Sequence, residues 1–100
     1  MADKIKSFGE RVRELREKKG LLLRQVAAAL EVDTAFLSKM ERNEKTAGKQ
    51  HVSKLSVVLE ANYDELLALW LSDKILEAVK NEPNAYPALK LAEKRLKIIK

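Results

Sequence analysis

Residues 23–42, LRQVAAALEVDTAFLSKMER, decide how this chain folds. Val26 and Leu30 fall on one face of a first helical run, and Leu37 and Met40 on one face of a second. Val32 lies at the break between them. Asp33 stands immediately before the second run, where a carboxylate can accept the free N–H groups of a first turn. The stretch therefore reads as two short helices around a tight turn, with the small Ala27 where they would cross closely. The outward side of the second helix is left with Thr34, Ala35, Ser38, Lys39 and Arg42.

Helical periodicity continues in both directions. Ile5, Phe8, Val12 and Leu15 predict a helix over about 5–19, with Gly20 as its C′ residue. The two central helices follow at about 22–30 and 34–42. After the polar segment NEKTAGK (43–49), Gly48 is a candidate N-cap for a helix over about 49–61, with Val52, Leu55, Val58 and Leu59 on its inner side. Asp64 is the candidate N-cap of a fifth helix, about 65–81. Glu82-Pro83-Asn84 breaks it, and a sixth helix runs from Tyr86 or Pro87 to Lys100. No segment alternates at period two. The expectation is an all-α fold of five helices plus an added C-terminal sixth, with one domain over 1–81 and a helical extension over 82–100.

Composition narrows the function. The chain has 100 residues, no cysteine, one histidine and a net charge of +5. Cysteine-bound zinc, disulfides, thiol chemistry and a histidine-rich metal site are excluded, and no cofactor is expected. His51 stands alone near the start of the fourth helix, and no Ser/His/Asp set, paired carboxylates or glycine-rich phosphate loop is apparent. No catalytic residue is assigned and an enzyme is not expected. The polar start and short apolar runs argue against a leader or membrane span, so the expected compartment is the cytoplasm. Residues 1–50 carry 12 Lys/Arg against 8 Asp/Glu, whereas residues 51–100 carry 8 against 7. The excess of positive charge thus lies in the half of the chain that contains the two central helices, and it favours a polyanion partner weakly.

The segments VRELREKKGLLLRQVAAALEV (12–32) and DTAFLSKMERNEK (33–45) resemble the lambda-repressor-like helix-turn-helix regulators of the Xre type. The resemblance covers about residues 7–70. It implies a five-helix domain with the second central helix in the major groove of double-stranded DNA. Thr34, Ala35, Ser38 and Lys39 occupy or adjoin the base-contacting positions. Arg24, Arg42, Lys45 and Lys49 become candidate phosphate contacts, as do the N-terminal amides of the fourth helix. Arg16 and Glu41 match a paired Arg and Glu that link helix one to the end of helix three. Three positions depart from the family. Leu23 stands where a polar phosphate contact is usual, which shifts that role to Arg24. Glu31 replaces a common turn glycine, which predicts a turn that differs in detail. Ala35 offers only an apolar contact, such as one to a thymine methyl.

The fifth helix is apolar around more than half its circumference, more than one core face needs. Its surplus, with Leu67, Trp70 and Leu71, predicts a second partner, and Leu96 of the sixth helix belongs to the same surface. Two arrangements stay open: the sixth helix clasps a second subunit, or it caps its own. A basic amphipathic membrane helix has no other support here. The function expected is a homodimeric, sequence-specific transcriptional regulator on a palindromic operator. Controllers of restriction–modification operons, antitoxins and phage repressors are comparable stand-alone proteins, so a toxin or polymerase partner is in keeping with it. The alternative of another class is a protein-binding module on the same fold.

Overall fold

The computed structural model describes residues 5–100. Six helices follow in order: α1 (Phe8–Lys18), α2 (Leu23–Leu30), α3 (Thr34–Glu41), α4 (Lys49–Val58), α5 (Tyr63–Val79) and α6 (Ala85–Ile99). No strand occurs among the described residues.

Local chemistry sets the ends of these helices. Ser7 accepts from the Glu10 N–H and Glu10 reaches back to the Ser7 N–H, a reciprocal cap that starts α1 at Phe8. Ile5 therefore lies before the helix and is exposed, contrary to its expected place on the apolar face. Asp33 caps α3 as expected, accepting from the Phe36 N–H at 2.7 Å. For α5 the cap is Asn62 rather than Asp64: its side chain accepts from the Glu65 N–H at 2.9 Å. Asp64 becomes part of the first turn, where its charge suits the helix dipole.

Left-handed residues other than glycine close three helices. Glu31 sits at φ 59° and ψ 40°, the conformation that glycine would otherwise supply. The turn between α2 and α3 thus takes a left-handed geometry with glutamate in place. Asn43 (φ 65°) follows the end of α3, which stops at Glu41 rather than 42, and Glu60 (φ 51°) follows the end of α4, which stops at Val58 rather than 61.

α2 packs on α3 and α4, α1 on α3 and α5, and α4 on α5. Their shared core holds Phe8, Val12, Val26, Ala27, Leu30, Leu37, Met40, Ala47, Val52, Leu55, Leu59 and Leu66. Burying this many large apolar side chains, at about 1.5–3 kcal/mol each, is the main source of stability. Gly9 makes the α1–α3 approach close: a methyl there would lie 2.3 Å from the Met40 carbonyl oxygen. α6 stands apart. Every residue from Tyr86 to Lys100 is exposed, so this helix adds no buried residue to the core.

Candidate nucleic-acid interface

α3 is held from behind and bare in front. Leu37 and Met40 anchor it in the core. Glu41, the only buried polar or charged residue among those described, ties its C-terminus to α1. Arg16 donates from Nε to Glu41 Oε2 at 2.7 Å and from Nη2 to Glu41 Oε1 at 3.0 Å. Its Nη1 also donates to the Leu21 carbonyl at 2.9 Å. This bidentate pair matches two planar groups across 25 residues of sequence, and Glu41 raises the already high Arg16 pKa.

The opposite side of α3 is open. Thr34, Ala35 and Lys39 are exposed, and Ser38 is half-buried. Arg24, Arg42, Lys45 and Lys49 are exposed as well. Leu23, by contrast, leans against the core. The start of α2 is closed by Gln25, whose Oε1 accepts from the Leu22 N–H at 2.7 Å.

Two residues have partners that periodicity could not reveal. Arg42 donates from Nη1 to Ser38 Oγ at 2.5 Å and from Nε to Glu44 Oε2 at 2.8 Å. Ser38 thus accepts from Arg42, which leaves its O–H free to donate. His51 Nδ1 accepts from the Gly48 N–H at 3.0 Å, closing the first turn of α4. Its ring also meets Phe36 of α3 at 5.7 Å between centroids. Burial lowers its pKa, with the charge of Lys54 adding to the effect. His51 is therefore a neutral brace between α4 and α3. The signal for it was its position three residues after the N-cap; for Gly9, it was a glycine within a helical pattern.

The apolar surplus of α5 is divided. Trp70 is engaged in its own subunit: its indole N–H donates to the Ala47 carbonyl at 2.8 Å, and Lys74 Nζ lies 4.4 Å from the ring centroid. The residue is half-buried, so part of the surface expected to face a partner is already used within the subunit. Leu67 is half-buried against the core. Leu71 and Leu96 are 45% and 54% exposed, and Ile75, Leu76 and Leu89 join them as uncovered apolar residues.

Among the described residues no group of histidine or carboxylate side chains could hold a metal ion. No described helix is long and apolar enough to cross a membrane.

A small all-helical domain whose tightly turned helix pair buries one face of each helix and leaves the other face of the second one open defines a class of regulators. The family model described as Helix-turn-helix matches residues 12–66, more than half of the chain. The chain belongs to this family, the Xre or lambda-repressor-like type of DNA-binding transcription regulators. Among solved structures it is similar to the clp gene regulator ClgR from Corynebacterium glutamicum. The two are 25% identical, with 85% of this chain and 88% of that chain covered and a TM-score of 0.57. It is also similar to a structure of a SinR protein/SinI protein complex, at 22% identity, 93% and 99% coverage and a TM-score of 0.54. The second likeness concerns the fold alone. No curated protein matches at a significant level.

Proposed function

We propose that the chain is a homodimeric, sequence-specific transcriptional regulator that binds a palindromic operator through α3. The observation that carries this reading is the exposed face of α3 and the loop after it. There Thr34, Ala35 and Lys39 stand in the open, beside the exposed cations Arg42, Lys45 and Lys49. In this reading Thr34 and Lys39 hydrogen-bond base edges, Ala35 packs on a thymine methyl, and the remaining cations with Arg24 hold phosphates. Ser38 accepts from Arg42 and can still donate its O–H to a base.

So few base contacts, at about 1–3 kcal/mol each, specify little alone. A two-fold dimer reads two half-sites roughly 34–36 Å apart and doubles the information. The uncovered apolar residues of α5 and α6, among them Leu71, Ile75, Leu89 and Leu96, support pairing between copies. A restriction–modification operon is one fitting target, by analogy with controllers of similar build.

Fluorescence anisotropy with promoter DNA across a salt series tests the reading. Affinity for any duplex should fall steeply with salt, and one site should outcompete the rest. Lys39→Ala should weaken the preferred site by about five- to 150-fold and random duplex far less. Weak binding at low salt with no preferred site would reject the proposal and favour a protein-binding module.

A further inference from the structure

Among the described residues, of the five cations proposed to face phosphate or base, only Arg42 is held in an ion pair. The local fold builds that pair. Asn43 reverses the chain at φ 65°, and the Glu44 N–H then donates to the Lys39 carbonyl at 2.8 Å. Glu44 is thereby returned to the last turn of α3, where its Oε2 meets Arg42 Nε at 2.8 Å. Ser38 holds the other side of the guanidinium. A carboxylate thus lies among the cations of the DNA-facing surface.

We infer that Glu44 is an internal counter-ion that competes with DNA phosphate for Arg42 and restrains sequence-independent binding. This rests on the DNA-binding reading above and deepens it. A phosphate at the Nε edge of Arg42 must displace Glu44, and one held by the remaining Nη2 N–H groups lies beside the Glu44 carboxylate. The Arg42–Glu44 pair is also neutral as a unit, so it adds little to the counterion release that drives non-specific association. The carboxyl of Glu44 is held below the usual carboxylate range, first by its hydrogen bond from Arg42 and also by the charge of Lys39. It therefore remains an anion throughout the range in which DNA binds.

Glu44→Gln separates charge from position. Glutamine keeps an acceptor oxygen for Arg42 and removes only the negative charge. With a short labelled duplex of mixed sequence, E44Q should bind about threefold to tenfold more tightly than the parent protein at moderate salt. The slope of log affinity against log salt should steepen by about 0.9, as for one added phosphate contact. With Arg42→Ala already present, adding Glu44→Gln should change little. An unchanged slope, weaker binding by E44Q, or a full gain without Arg42 would each overturn the inference. If the parent protein shows no salt-dependent binding to any duplex, the DNA-binding reading itself fails and takes this inference with it. Parent binding with an unaltered E44Q overturns only the role of Glu44.

Discussion

At the scale of single residues, the Arg16–Glu41 pair shows how one side chain can set the aim of an element. Glu41 ends α3, and its carboxylate is 4% exposed against 11% for the Arg16 side chain. A charge so enclosed is tolerable only when paired and hydrogen-bonded. Arg16→Met should therefore strand Glu41 and destabilise the fold by about 3–5 kcal/mol. Pairing that change with Glu41→Leu should recover much of the loss, since two apolar groups leave no buried charge behind. Urea unfolding of the two single variants and the double variant reads the cycle directly. Additive losses would show that the pair is not coupled.

At the scale of elements, the first turn of α4 joins the interface to the core. His51 closes that turn by accepting from Gly48 and touches Phe36 of α3. Its folded pKa lies below the ordinary 6.5, chiefly through burial. The unfolded chain therefore takes up a proton on this ring more readily than the folded one. The stabilisation is complete above about pH 6.5 and is lost as pH falls through the depressed folded value. Glutamine at the same position keeps an acceptor and does not titrate. The stability of the parent relative to His51→Gln should thus be greatest near pH 7 and decline toward pH 5 in paired thermal melts. A difference constant with pH would show that His51 does not brace α4 as a neutral ring.

At the scale of the whole molecule, the shape carries the message. The radius of gyration is 15.2 Å, above the roughly 13 Å of a compact 100-residue domain. The excess matches α6, whose residues beyond Ala85 are all exposed although Leu89, Ala92, Leu96 and Ile99 share one face. Removal of the chain from Pro83 onward should leave the five-helix body folded, because no core residue lies there. It should weaken dimerisation if α6 clasps the second subunit. Sedimentation of both forms checks this, and an undiminished dimer would assign pairing to α5 alone.

How much could be read without the fold depends on the range of the forces involved. Capping and helical periodicity act within about four residues. The caps Ser7 and Asp33, the order of six helices and the core positions Val26, Leu30, Leu37 and Met40 are written in that range. Resemblance supplied the Arg16–Glu41 pair, because no local rule links residues 25 apart. Asn62 prevailed over Asp64 through a difference of two residues in where the chain turns. Tertiary structure alone decided the rest. Trp70 turned inward because the Ala47 carbonyl, 23 residues away, comes within reach only when α5 closes on the loop before α4. Glu44 met Arg42 because Asn43 reversed the chain. Helix six kept its apolar face uncovered because the five-helix body had already completed its core without it. The sequence by itself determined which helices form and which family they build; only the tertiary structure decided which of their side chains remain free to meet a partner, since that depends on what the assembled core has already used.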